Sequence, residues 1–317
     1  MIRPKLKRQF AWLFIVSLTF LSCQKENDAS VVCNRVNFSY YSDYFVFVAD
    51  DASDPLVIPI DLNWRPVEGG YEIEFKGWYG TTKEWPIAYH VDAFGATPNA
   101  VPQESWEHAN TENFQFDREN RQLILNLPDQ PEIKLFIPAE STWVGMPTQG
   151  DRKEIYGMRS SVEVNGSSKN GWMVYERIRR DPSVPNGQRA DFTAFFWIPI
   201  VVDGAFYHFE HHGDDQTATR WWQNGGVVAV DSAQAFDFTI TQTSVDSMSG
   251  RTDIPEALQL QAHKWNLDIQ LQSGGAQIGY GPIFPKGRAY YRQSLLQASD
   301  SSIARGYGML ELILEND

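Results

Sequence analysis

Phe195-Phe196-Trp197-Ile198-Pro199-Ile200-Val201-Val202 and Ala205-Phe206-Tyr207-His208-Phe209 flank the pair Asp203-Gly204. Two short runs rich in aromatic and β-branched residues, parted by two residues of this kind, predict a β-hairpin. The mirror-image turn that Asp-Gly adopts matches the right-handed twist of the strands. The habit continues downstream. Gln223-Asn224-Gly225-Gly226 leads into residues 227–230, residues 258–262 and 267–271 enclose His263-Lys264-Trp265-Asn266, and residues 289–296 and 306–314 supply the last strands. Upstream, residues 160–164 and 172–178 flank the loop 165–171, and Phe114-Gln115-Phe116 turns through residues 117–120 into 122–127. Further back, Tyr71, Ile73 and Phe75 alternate with Glu72, Glu74 and Lys76. No amphipathic helix of three or more turns is legible, and regularly spaced short strands predict an all-β sandwich or barrel.

At 317 residues the chain is long enough for two domains with substantial cores. A Leu/Ile-rich hairpin recurs late in each half, at 123–137 and 258–271, which hints at a duplication. The Gly/Pro-bearing stretch from Gly145 to Asp151 then suggests a boundary, giving a first β domain over 34–150 and a second over 151–317. Aromatic residues are 14% of the chain against 21% charged, the wrong balance for disorder. A net charge of -13 with no long basic block disfavours nucleic acid and anionic membrane surfaces as partners.

Residues 1–22 carry Arg3, Lys5, Lys7 and Arg8, then an apolar run from Phe10 to Leu21, the pattern of a secretory signal. The run falls short of the roughly 20 residues that span a bilayer. Phe20-Leu21-Ser22-Cys23 resembles a bacterial lipobox, which implies cleavage before Cys23 and acylation of its thiol. Buried acyl chains contribute about 0.8 kcal/mol per methylene, so such a terminus anchors to a membrane without a spanning helix. Gln24 to Asp28 resembles the charged signal that sends some lipoproteins to the outer face. The expectation is a signal peptide over 1–22, a lipidated tether over 23–33, and an outer-membrane lipoprotein of a Gram-negative bacterium, facing either the cell surface or the periplasm. Cys33 is then the one remaining cysteine, so no internal disulfide framework is expected.

Several chemistries lack local support: there is no phosphate-cradling glycine loop, Cys-x-x-Cys, His-Glu-x-x-His or Gly-x-Ser-x-Gly. No cofactor is expected. His208-Phe209-Glu210-His211-His212 is the one histidine cluster; it runs into Gly213-Asp214-Asp215 and reads first as a solvated strand end, with a polar ligand pocket or a metal site as the alternatives. In Trp172-Met173-Val174-Tyr175-Glu176-Arg177-Ile178-Arg179-Arg180, alternation sets Trp172, Val174, Glu176 and Ile178 against Met173, Tyr175, Arg177 and Arg179. Two arginines sit poorly in a dry barrel, so the Trp172 face is expected inside. A carboxyl at Glu176 would then be held up by desolvation, as a general acid requires, unless an inward salt bridge neutralises it. Trp172, Phe195, Trp197 and Tyr207, with Trp221, Trp222 and Tyr290, are the aromatics expected to line a site for an apolar ligand, if they are not simply core.

Three stretches carry a resemblance: Gly77-Trp78-Tyr79-Gly80, residues 162–178 with Gly171-Trp172-Met173-Val174-Tyr175-Glu176-Arg177, and Arg305-Gly306-Tyr307-Gly308-Met309-Leu310-Glu311-Leu312. The chain resembles the lipocalin-like superfamily of hydroxyneurosporene synthase (carotenoid 1,2-hydratase), tocopherol cyclase and the lipocalin-like Diels-Alderases. That resemblance implies two tandem lipocalin-like antiparallel β-barrel domains. It also implies cofactor-free addition of water, or ring closure, on an isoprenoid or polyketide. The hydratases carry a Tyr-His-Asp-His-type run on the corresponding strand; Glu176 takes its acid position, while Tyr175 and Arg177 stand where histidines are usual. Three functions follow as expectations. The first is a lipid-anchored protein that binds an apolar small molecule, isoprenoid or lipid-like. The second is a hydratase or cyclase with Glu176 as acid and Tyr175 or His208 assisting. The third is an adhesion or glycan-binding module using Trp78, Trp85 and Trp106.

Overall fold

The computed structural model describes residues 40–51, 53–67, 70–77, 89–93, 114–126, 131–139, 144–147, 153–180, 194–212, 215–233, 235–246, 250–273, 278–280, 289–298 and 306–315. The signal, Cys23, Cys33, Trp78, Trp85 and Trp106 lie outside them, as do the side chains of Tyr290 and His212.

The fold is all-β, as expected. Ten strands form a first antiparallel sheet: β1 (Tyr40–Ala49), β2 (Val57–Val67), β3 (Gly70–Gly77), β4 (Tyr89–Ala93), β5 (Phe114–Asp117), β6 (Gln122–Leu125), β7 (Ile133–Phe136), β8 (Val144–Pro147), β9 (Lys153–Val164) and β10 (Ser167–Arg180). Ten more form a second: β11 (Ala194–Val202), β12 (Ala205–His212), β13 (Asp215–Asn224), β14 (Val227–Ala233), β15 (Asp237–Ser244), β16 (Ile254–Ala262), β17 (Leu267–Ser273), β18 (Ile278–Tyr280), β19 (Ala289–Ala298) and β20 (Gly306–Glu315). The opening hairpin is β11–β12, and its turn has φ 48° at Asp203 and φ 78° at Gly204, the left-handed pair expected of Asp-Gly. Where a seven-residue loop was expected over 165–171, only Asn165-Gly166 turns, and β10 begins at Ser167.

The sheet orders are β4-β3-β2-β1-β10-β9-β7-β6-β5, with β8 on β9, and β14-β13-β12-β11-β20-β19-β17-β16-β15, with β18 on β19. Adding ten to every strand of the first order yields the second. The chain is therefore a topological repeat, and the two Leu/Ile hairpins noticed in the sequence are its equivalent β6–β7 and β16–β17. The sheets divide between Arg180 and Ala194, however, not at 150/151. The stretch read as a junction contains β8, which pairs with β9; its Gly145 is a close-approach glycine, since a Cβ there would lie 2.5 Å from a ring carbon of Tyr156.

Among the described residues, three apolar clusters stand out. One lies inside the first sheet, around Phe45, Ile58, Leu123, Leu135 and Met173, and one inside the second, around Phe196, Ile200, Phe209, Leu258 and Leu310. The third joins the outer faces of the two sheets and includes Val48, Trp172, Trp197, Phe206, Trp221 and Met309. Burying an aromatic side chain of this kind contributes about 1.5–3 kcal/mol, so this seam holds the repeats together as firmly as a core.

Candidate functional site

The strand β10 decides where chemistry can sit, because its two faces enter different clusters. Met173 and Tyr175 belong to the first sheet's interior, while Trp172 and Val174 belong to the seam. This reverses the expected orientation: the Trp172 face looks at the second repeat, and the Tyr175–Arg177 face looks into the first barrel. Arg177 tolerates that position because carboxylates from other strands meet it. Asp43 on β1 lies directly opposite in register, and Glu154 on β9 faces it from the other side, with Nη1 at 3.6 Å.

The result is a buried polar network. Arg177 Nε donates to the Tyr175 hydroxyl at 2.8 Å, and that hydroxyl in turn donates to the Asp43 carboxylate. Asp43 and Tyr175 are 0% exposed and Arg177 is 4%. Phe45 stacks on the Tyr175 ring at 4.5 Å and Tyr156 lies at 6.0 Å, so the network sits between aromatic faces. A phenol that accepts from a guanidinium and donates to a carboxylate can pass or hold a proton at a fixed point.

Register supplies a control from within the molecule. Trp172 opposite Val48 in the first repeat matches Tyr307 opposite Val201 in the second, and Glu176 opposite Tyr44 matches Glu311 opposite Trp197. By the same offset, Asp43, Tyr175 and Arg177 match Phe196, Leu310 and Leu312, all three of them buried in the second sheet's core. The fold is thus built once with a charged network at this place and once with hydrocarbon. The architecture itself does not require the polar version.

Glu176, expected as the acid, is 4% exposed and lies on the seam face beside Tyr44. Tyr44 contacts the Trp197 ring at 5.0 Å and accepts a hydrogen bond from Gln293 Nε2 at 2.9 Å; Gln293 also donates to Glu311 at 3.1 Å. His208 is 1% exposed and meets Trp197 edge-on at 4.8 Å, which corrects its reading as a solvated strand end. Glu176 and His208 therefore share the seam, and Tyr175 stands on the opposite face. No group of three or more His, Cys, Asp and Glu gathers as a metal site among the described residues.

Of the expected ligand-lining aromatics, Trp172, Trp197 and Trp221 are seam residues and Phe195 packs against them. Trp172 Nε1 donates to the Gly204 carbonyl at 3.2 Å, and Trp221 Nε1 to the Val144 carbonyl at 2.7 Å, each across the seam. Tyr207 and Trp222 instead belong to the second sheet's inner face. The expected single wall is thus split between two surfaces. Asp43 went unnoticed in the sequence, where only its position on a strand opposite Arg177 could have revealed it.

No protein-family model matches the chain, and no curated protein matches it by sequence. Solved structures do match. A protein provisionally named ATTH from Nitrosomonas europaea is 13% identical, with 87% of this chain and 92% of that one covered at a TM-score of 0.51. The fold is the lipocalin-like one. Kievitone hydratase from Nectria haematococca is 12% identical, with 87% and 89% covered and a TM-score of 0.51. At 87% of this chain, each likeness is longer than either repeat and so extends into both.

Proposed function

We propose that this lipocalin-like protein binds an apolar small molecule, isoprenoid or lipid-like, at its first repeat, where the Asp43–Tyr175–Arg177 network is the polar anchor that orients it. The observation that carries this reading is the contrast between repeats: a charged network stands in the first where Phe196, Leu310 and Leu312 stand in the second. Burying charge costs several kcal/mol per ion before pairing, so a fold that has an all-apolar solution does not keep a charged one for stability. Apolar sites with a few fixed polar groups are how proteins hold such ligands. The test is extraction and mass spectrometry of the purified chain. An apolar compound is expected to co-purify and to be depleted in Tyr175→Phe; a parent protein free of any such compound would sink the binding reading.

A second reading, a cofactor-free hydratase or cyclase, is favoured by the donor chain from Arg177 through Tyr175 to Asp43, and a hydratase is among the structural neighbours. Here the proton passes through Tyr175, and Glu176, on the seam, takes no part in the transfer. Turnover of isoprenoid substrates abolished by Tyr175→Phe and retained by Glu176→Gln supports this version; the reverse pattern restores Glu176 as the acid.

We further propose, from the lipobox-like Phe20 to Cys23, that an acylated Cys23 anchors the protein at the outer membrane of a Gram-negative bacterium. Radiolabelled palmitate incorporated by the parent and absent from Cys23→Ala is the expected outcome.

A further inference from the structure

We propose that the second repeat carries a separate binding site for the carboxylate of a small amphipathic acid, formed by Arg220 and Tyr207 on its inner face. The two residues are direct cross-strand partners on β13 and β12, close to the end of the sheet closed by the turns at Asp203-Gly204, Gly225-Gly226 and His263–Trp265.

The Arg220 guanidinium lies over two rings, with its central carbon 5.6 Å from the Tyr207 centroid and 5.1 Å from that of Trp222. It makes no hydrogen bond and no ion pair among the described residues, and its Nε is buried without a partner. Aromatic faces satisfy the charge of a guanidinium but not its N–H groups, which point outward in the ring plane. The nearest carboxylate in register, Asp231, is occupied elsewhere: it accepts from Lys264 Nζ at 2.6 Å and from Trp265 Nε1 at 3.1 Å. Among the described residues, then, no carboxylate pairs with Arg220, in a protein of net charge -13.

Tyr207 supplies a second donor. It is 5% exposed, and burial holds its phenol above the ordinary range, so the group stays protonated at neutral pH. Its ring meets Trp265 edge-on at 5.6 Å and stacks with Phe209 at 6.1 Å. A planar guanidinium beside a phenolic O–H suits the two oxygens of a carboxylate. Half-buried Trp222 and Trp265 offer apolar surface beside it for the rest of the ligand. Other charges at this end are Asp203 in the exposed turn, Asp231 held by Lys264, Asp237 paired with His263, and Asp268 held by Gln259 and Gln261. A neutral oxygen would accept from the Arg220 N–H groups without the charge assistance and paired geometry of a carboxylate.

The site is independent of the network in the first repeat, and its test does not touch Tyr175. Dodecanoate and dodecanol are titrated into the full chain by calorimetry, with tryptophan fluorescence as a second readout. Dodecanoate is expected to saturate one site and dodecanol to bind at least about tenfold more weakly, since a charge-assisted pair is lost. Arg220→Met is expected to weaken dodecanoate by a similar factor, Arg220→Lys to retain part of the affinity, and Tyr207→Phe to lose several-fold. Equal binding of acid and alcohol by the parent, full dodecanoate affinity in Arg220→Met, or no binding by the parent overturns the proposal. If Arg220→Met fails to fold, Tyr207→Phe decides: an acid-over-alcohol preference unchanged in that variant assigns the dodecanoate to the first repeat and overturns the proposal.

Discussion

At the scale of single residues, Tyr175 is the hinge of the first repeat's chemistry. Removing its hydroxyl in Tyr175→Phe leaves Asp43 and Arg177 buried in a long 3.9 Å ion pair, without the hydroxyl that links them by hydrogen bonds. A loss of about 2 kcal/mol is expected in a urea titration, in keeping with the cost of stripping a partner from buried charged groups. Gly157 is the opposite case, a residue defined by what it lacks. A Cβ there would lie 2.5 Å from Trp221 Cε2, so Gly157→Ala should cost about 1–3 kcal/mol through overpacking, read as a lower melting temperature. The misread face of β10 has its cause at this scale too. Arginine at 177 argues for solvent when the strand is considered alone, yet Asp43, far away in the chain, answers its charge. Which residue neutralises a buried cation is a long-range fact that alternation along one strand does not contain.

Among the elements, the hairpins were the most legible, because left-handed turn residues act locally. Asp203-Gly204 and Gly225-Gly226 turn where the sequence indicates, and Asn266 takes φ 51° after the short His263–Trp265 turn. The boundary of the repeats was less legible, since Gly145 and Pro147 read as a linker although the glycine serves a close ring contact within β8. Pro199 is a further element-level exception. It sits within β11, between strands β12 and β20, and the β11–β20 register has a gap between Trp197 and Ile200 where its missing N–H would bond. The edge strand β14 is pinned by side chains: Lys264 Nζ reaches both Asp231 and the Ser232 carbonyl. Hydrogen bonds from Lys264 and Trp265 hold the Asp231 carboxyl below its usual range, and Gln259 and Gln261 do the same for Asp268. Carboxyls lowered by folding stabilise the native state above the ordinary carboxylate range and lose that contribution as acid protonates them. Melting temperature should therefore drop between about pH 5 and pH 3, and less steeply in Asp231→Asn/Asp268→Asn.

For the whole molecule, the seam sets the behaviour. Trp172 reaches the Gly204 carbonyl of the second repeat, and its counterpart Tyr307 donates its hydroxyl to the Ala49 carbonyl of the first. Each repeat thus clasps the other through the same position of its last strand. With that exchange and a shared apolar cluster, the two repeats should unfold in one calorimetric transition. Trp172→Ala is expected to lower stability by about 3–5 kcal/mol and to split the transition into two. The duplication was visible in the sequence only as the pair of Leu/Ile hairpins, since Gly171-Trp172 and Gly306-Tyr307 align once the register is known. The first and last strands of each repeat also lie side by side: Tyr40 opposes Arg180, and Ala194 opposes Leu314. Every repeat therefore enters and leaves its sheet at one spot, as a plug enters a socket. A gene encoding such units can be cut and reordered between them without breaking a single ladder, which makes 181–193 the natural site for transposing, grafting or adding a repeat.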